Sequence, residues 1–284
     1  MADTTQRLAI VGPGLIGTSI GLAATRRWPN LEIVTIDAGQ PLSLIGNALV
    51  VVLAAPVDAI LKILPELPAV IPDTALVIDT GSTKQAIISA AAQTRIRHFV
   101  GGHPMAGGTS IDDARADLFD GRPWFLINRS EPGALKRAAK FVEALGASPV
   151  IFEDGGEEHD RLMAAISHVP QITSSMLMAV VARAAGPDNL HYAGNGLRDT
   201  TRLAGSSASM WHGILASNRE HIAPILKFLA NELHALADRL DDPVAVAAVF
   251  DEANRARASL SPAPPAAGPQ NSPGKEPATF LLNS

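Results

Sequence analysis

The chain has 284 residues, 47% of them hydrophobic and 18% charged, so it carries enough apolar material for a core and is not globally disordered. Its formal net charge is -5 and only 4% of its residues are aromatic, which argues against nucleic acid as the main partner. It has no cysteine, which removes disulfides, thiolate metal sites and a cysteine nucleophile and suits a cytoplasmic setting.

The first residues, Met1-Ala2-Asp3-Thr4-Thr5-Gln6-Arg7, lack the basic-then-apolar layout of a signal peptide. No stretch offers about 18 uninterrupted apolar residues, so no membrane span is expected. Leu8-Ala9-Ile10-Val11 is an apolar run that stops at Gly12 and reads as a buried parallel strand. Residues 14–27 follow with helical spacing and basic residues at the far end. Further strands are predicted at 31–36, 49–54, 75–78, 98–100, 125–127 and 149–152, with helices near 57–64, 83–93 and 132–145. This alternation predicts an α/β fold, a parallel sheet with helices on both faces. After about residue 155 the strands cease. Helices are predicted over 157–185, 188–203, 209–239, with a kink at Pro224, and 243–258. Residues 259–284, rich in Pro, Ser, Ala and Gly, predict a disordered tail.

Gly12-Pro13-Gly14-Leu15-Ile16-Gly17 is a GxGxxG between a predicted strand and a predicted helix. The first glycine permits the tight turn, the second lets a pyrophosphate approach the backbone, and the third lets helix and strand pack closely. Gly12, Gly14, Leu15, Ile16 and Gly17 are therefore the expected phosphate contacts, helped by the partial positive charge of the helix start. Ala55 and Pro56, just past the third strand, are assigned to the same cofactor. Asp37 follows Gly17 by 20 residues and ends the second strand, where a carboxylate accepts from ribose hydroxyls and repels a 2′-phosphate. That pattern favours NAD over NADP. The plain alternative is a turn and a strand-end cap. Residues 38–48 are too few for the usual crossover helix and strand, so a loop is expected that leaves the adenosine side open. The expected organisation is a Rossmann-like dinucleotide-binding domain over 1–155, an all-helical domain over 156–258, and the tail.

Three later stretches carry a family signal: Gly101-Gly102-His103-Pro104-Met105-Ala106-Gly107, Ser167-His168-Val169-Pro170-Gln171, and Gly196-Leu197-Arg198-Asp199-Thr200-Thr201-Arg202-Leu203-Ala204, the last followed by Met210-Trp211 and Ser217-Asn218. With GxGxxG they resemble the prephenate/arogenate dehydrogenase family of tyrosine biosynthesis, over about residues 7–258. The resemblance implies that the helical domain makes a homodimer. It also implies an NAD-dependent oxidative decarboxylation, which needs a base at the ring hydroxyl, a cation for the ring carboxylate and a cofactor held face-on.

His103 matches the family's catalytic histidine and follows a predicted strand, at the sheet edge where open α/β folds bind ligands. Ser82, in Asp79-Thr80-Gly81-Ser82-Thr83-Lys84, matches a serine that bonds that histidine; it also reads as a helix N-cap. Arg202 matches the arginine that grips a substrate carboxylate, with Arg198 and Asp199 shaping the site. On one helix Arg198 and Arg202 would share a face, so an ion pair among the three is the bland alternative. His168 matches a histidine that is structural or near the nicotinamide. Trp211 and Asn218, seven apart, read as packing or dimer residues on one helical face. At Gln171 many members carry a second histidine that contacts the substrate side chain, so the neutral amide leaves prephenate and arogenate both open. The run after the last helix is too short for a regulatory domain, so none is expected.

No metal site is expected; Glu157-Glu158-His159-Asp160 is the densest cluster and reads as the acidic first turn of a helix. Two other readings compete. A β-hydroxyacid dehydrogenase would use a lysine of the helical domain, and only Lys227 and Lys275 follow residue 151. A non-catalytic NAD-binding scaffold would have no need of His103, Ser82 and Arg202 together.

Overall fold

The computed structural model describes residues 6–108, 110–128 and 131–260. Strands β1 (Arg7–Val11), β2 (Glu32–Ile36), β3 (Val50–Leu53), β4 (Leu76–Asp79), β5 (His98–Pro104), β6 (Pro123–Asn128) and β7 (Ser148–Phe152) form one seven-stranded sheet in the order β2-β1-β3-β4-β5-β6-β7. Every neighbouring pair is parallel except β5 and β6. The sheet is therefore not wholly parallel as expected. The chain leaves β5 at one edge and re-enters beside it, with Pro104 opposite Trp124, so β6 has to run backwards. β5 also runs on to Pro104 rather than stopping at residue 100, because Gly101, Gly102 and His103 pair with Ile127, Leu126 and Phe125.

Alternate strand residues feed two cores. Leu8, Ile10, Val50, Val52, Leu76 and Ile78 face helices α1 (Leu15–Arg27) and α4 (Pro132–Ala144), where Trp28 stacks on Phe141 at 6.1 Å. Ala9, Val11, Val51, Leu53 and Val77 face α2 (Val57–Ile63) and α3 (Gln85–Ala91). A strand buried on both faces reads as an unbroken apolar run, which is why these strands are visible in the sequence. Between β2 and β3 the chain makes only the 3₁₀ turn Leu42–Ile45, as the short spacing implies.

The second half is helical: α5 (Glu157–Met163), α6 (Val169–Ala185), α7 (Asn195–Thr200), α8 (Ala208–Ser217), α9 (Arg219–Ala237) and α10 (Pro243–Ala258). α5 and α6 run into one another through a π turn, Ala164–His168. Pro170 explains it, since a proline has no N–H to give the preceding turn and its ring crowds that turn's carbonyl. The continuous helix Glu157–Ala185 is long and apolar enough to cross a membrane by length and composition, with mean hydropathy 1.3. Here it carries the buried His159, Asp160 and His168 against the sheet. The single helix expected over 188–203 is three short pieces, the 3₁₀ turns Pro187–Tyr192 and Arg202–Gly205 flanking α7. The helix expected over 209–239 breaks at Asn218, and Pro224 lies inside α9. The tail expected over 259–284 lies outside the described residues from 261 onward.

Candidate active site

β1, β3, β4 and β5 are parallel neighbours, so Gly12, Ala54, Asp79 and His103 come together at one edge of the sheet. Gly12 takes φ +99° and bonds its N–H to the Ile36 carbonyl at 2.9 Å; a Cβ on it would lie 2.5 Å from the Ala54 carbonyl oxygen. Only glycine fits both the dihedral and that gap. Gly17 is equally closed, since a Cβ there would collide with the Gly12 carbonyl. Gly14 faces open space with nothing within 4 Å of such an atom. The first turn of α1 carries no acidic residue, and its leading amides have no intrahelical partner. Leu15 and Ile16 start this turn while their side chains pack into the core. An open cradle of amides over the one unobstructed glycine fits a dinucleotide's phosphates. Ala55 and Pro56 leave β3 beside Gly12. Asp37 stands exposed past β2, one carboxylate oxygen accepting from Ala38 N–H at 2.7 Å.

His103 is the penultimate residue of β5 and lies half-buried. Its Nδ1 meets His159 Nε2 at 2.9 Å, and His159 Nδ1 meets Asp160 Oδ1 at 2.8 Å. His103 Nε2 has no hydrogen-bond partner among the described residues. Phe125 and Phe152 stand edge-on to His159 at 5.6 and 5.9 Å and close its pocket. Burial holds His103 well below the ordinary imidazole range, and His159, Lys84 and His168 push the same way. Burial also lowers His159, against the pull of Asp160. Both rings are therefore neutral at neutral pH.

A buried ion pair sits under this ring. Lys84 Nζ bonds Asp79 and donates to the Gly102 carbonyl at 2.7 Å, while Asp79 accepts from Gly102 N–H at 3.0 Å and Gly81 N–H at 2.8 Å. Both main-chain groups of the residue before His103 are thus fixed by one pair. Burial lowers Lys84 and Asp79 opposes it. Removing one partner of such a pair costs about 3–5 kcal/mol, because the other is left buried and uncompensated.

Asp160 does several tasks. Its carboxylate accepts from the amides of Lys84 at 2.7 Å and Gln85 at 2.9 Å, so it caps the start of α3. The cap expected from Ser82 is absent: α3 begins three residues later, and Ser82 makes no hydrogen bond among the described residues, to His103 or otherwise. His103 takes His159 as its partner instead. Asn218, where α8 ends, donates to the Asp160 carbonyl at 2.7 Å and meets His168 Nδ1 at 3.0 Å, and Trp211 stands edge-on to His168 at 5.9 Å. Burial draws His168 down to about 4, against Asp160. Thr83 and Ser217 hydroxyls meet at 2.8 Å and tie the same corner of the sheet to α8.

Arg202 opens the 3₁₀ turn after α7 and is exposed, as are Arg198 and Asp199. The face expected to unite Arg198 and Arg202 is lost because α7 stops at Thr200, and no ion pair joins the three among the described residues. Gln171 is buried. Its amide N–H₂ donates to the Leu203 carbonyl at 2.7 Å and its oxygen accepts from Ser206 Oγ at 3.3 Å, so it pins the turn that carries Arg202.

Sequence reasoning missed His159 and Asp160, both buried rather than part of a solvated acidic turn. A signal was present: Asp160, His168 and Gln171 recur at helical spacing on a long apolar helix, and polar residues on such a face need buried partners. Asp79 and Lys84 gave less warning, since a strand-end aspartate and a lysine five residues on look ordinary.

Two family models match, "Prephenate dehydrogenase, nucleotide-binding domain" over residues 15–151 and "Prephenate dehydrogenase, dimerization domain" over 155–245. A prephenate dehydrogenase of Bacillus subtilis is 32% identical over 252 residues, which covers 78% of this chain and 66% of that protein. The crystal structure of prephenate dehydrogenase from A. aeolicus with hydroxyphenyl propionate and NAD+ superposes with TM-score 0.80 at 22% identity, covering 92% of this chain and 100% of that one. A Synechocystis arogenate dehydrogenase structure gives TM-score 0.73 at 27% identity over 89% of this chain and 99% of that one. With both of its halves matched in order, the chain belongs to the prephenate dehydrogenase family.

Proposed function

We propose that this chain converts prephenate to 4-hydroxyphenylpyruvate and carbon dioxide with NAD as hydride acceptor, working as a homodimer. The observation that carries the reading is a neutral histidine with an unbonded Nε2 at the sheet edge that also holds the phosphate loop. When bound, NAD supplies the acceptor for the hydride from C4 of the ring.

The chain's own residues would do the rest. His103 Nε2 takes the proton of the 4-hydroxyl; its burial keeps the lone pair available at neutral pH. Arg202 holds a substrate carboxylate through its two-pronged guanidinium, with Arg198 and Asp199 flanking it. As the hydroxyl proton and the hydride leave, the bond from the ring to its carboxylate breaks and its electron pair closes the aromatic ring. Ser82, in the loop between β4 and α3, makes no hydrogen bond to His103 among the described residues and would bond a ligand instead. Asp37 would receive the ribose hydroxyls and the amides at Gly14 to Gly17 the pyrophosphate, with Ala55 and Pro56 alongside.

The homodimer is supported by the dimerization-domain match and by apolar side chains left outside in the helical half, among them Met176, Val180, Phe228 and Phe250. Arogenate remains the competing substrate. The test is NADH formation at 340 nm with prephenate and arogenate offered separately under NAD and NADP. Turnover of prephenate with NAD is expected. No turnover of either, in protein that binds NAD, would return the weight to a non-catalytic scaffold.

A further inference from the structure

An ionised carboxylate only accepts hydrogen bonds, and Asp160 accepts from two backbone amides as well as from His159. His159 must therefore carry its hydrogen on Nδ1. Being neutral, it presents a lone pair at Nε2. That lone pair lies 2.9 Å from His103 Nδ1, so His103 in turn must carry its hydrogen there. Of the four ring nitrogens, the one left without a proton or a partner among the described residues is His103 Nε2. A single carboxylate thus sets the tautomer of two rings in series.

We propose that His159 is a positioning residue for the base. It fixes the His103 tautomer, and it receives the Nδ1 proton of His103 as Nε2 takes the substrate's hydroxyl proton. The bonds balance. The substrate O–H breaks and His103 Nε2–H forms; His103 Nδ1–H breaks and His159 Nε2–H forms. His103 ends neutral, and the positive charge ends on His159 against the Asp160 carboxylate rather than beside Lys84. The proton-acceptance step rests on the dehydrogenase reading above; the tautomer does not.

The groups facing these rings are few. His103 faces His159 on α5, Lys84 at the head of α3 and His168 on the π turn. His159 faces Asp160 beside it, Lys84 and Asp79 on β4. Phe125 of β6 and Phe152 of β7 complete the pocket without charge. Replacing His159 thus removes the one acceptor of the His103 Nδ1 proton.

Nitrogen-15 NMR of histidine-labelled, ligand-free protein tests the tautomer directly. An unprotonated His103 Nε2 and a protonated Nδ1 are expected; the reverse overturns the proposal whatever the enzyme turns over. His159→Leu and His159→Gln, each checked for fold by circular dichroism and for NAD binding, test the relay. In His159→Leu, kcat should fall on the order of 10–100-fold, as when the residue orienting a reacting group is lost. Substrate KM should hold within about twofold. The acid limb of its kcat profile should move, because His103 has lost both the acceptor of its Nδ1 proton and the neighbouring ring that holds it down. His159→Gln keeps an acceptor for His103 but cannot take the proton, so it should restore part of the rate. A kcat loss with an unmoved limb and unchanged His103 shifts would make His159 merely structural and overturn the proposal. Absent prephenate turnover with the expected shifts would overturn the dehydrogenase reading and the proton transfer while the tautomer stands.

Discussion

The proposed base and the proposed carboxylate grip, His103 and Arg202, sit in differently built surroundings. Around His103 every supporting atom is already in place: β5 is bonded on both sides, Lys84 and Asp79 fix Gly102, and His159 and Asp160 hold the ring. Around Arg202 there is one short 3₁₀ turn, an exposed guanidinium and a single buried amide, Gln171, pinning the turn. The same contrast runs through the two halves. The sheet buries its strands on both faces, whereas the helical half has one small buried cluster, Ala164, Val169 and Ile222, and leaves Phe228 65% and Phe250 63% exposed. A base must be correctly oriented before substrate arrives, and a rigid sheet edge supplies that. A carboxylate grip can form as the ligand arrives.

The sharpest test of the prebuilt side is His103→Asn. Turnover, read as NADH at 340 nm, should fall by a factor on the order of 10²–10⁴ with NAD affinity largely kept, since general-base catalysis contributes on that scale. Unchanged turnover would remove His103 from the mechanism. On the open side, Arg202→Gln should raise the substrate KM by about 10–100-fold, the worth of a hydrogen bond to a charged group at about 1.5–3 kcal/mol, and leave the NAD KM near its original value. Equal changes in both would make Arg202 structural and erase the contrast drawn between base and cation.

Legibility in the sequence follows that contrast. The strands were readable because burial on both faces leaves continuous apolar runs such as Leu49-Val50-Val51-Val52-Leu53, and Gly12 to Gly17 was readable because each closed approach admits only glycine. α10 was readable from end to end, starting at Pro243 behind the capping Asp242. The direction of β6 was not, because nothing local tells which way a chain re-enters a sheet. Nor was the break at Asn218. That residue ends α8 because its side chain reaches across to Asp160 and His168, partners 58 and 50 positions away. For the proposed site, His103 and Arg202 are read from motifs alone. His159 and Asp160 were hidden because their neighbours Glu157 and Glu158 are exposed and made the whole turn look solvated.

The smallest expected effect bears on Gln171, where a family motif suggested contact with the substrate side chain. Its amide is engaged at Leu203 and Ser206, so its influence should pass through the turn that carries Arg202. Gln171→Leu keeps the volume and removes the bonds to Leu203 and Ser206, along with a longer one to Ser175 Oγ at 3.4 Å. At about 1 kcal/mol for a typical hydrogen bond, the substrate KM should rise roughly fivefold, with kcat little changed. Two features separate a pin from a direct contact. A pin raises KM for prephenate and arogenate by the same factor, because it moves the grip on a carboxylate the two substrates share. A direct contact changes their ratio. A pin also loses its effect once the grip is gone, so in the Arg202→Gln background Gln171→Leu should add almost nothing, and the double-mutant coupling should equal the single effect. Full additivity of the two changes would detach Gln171 from Arg202 and return it to the substrate.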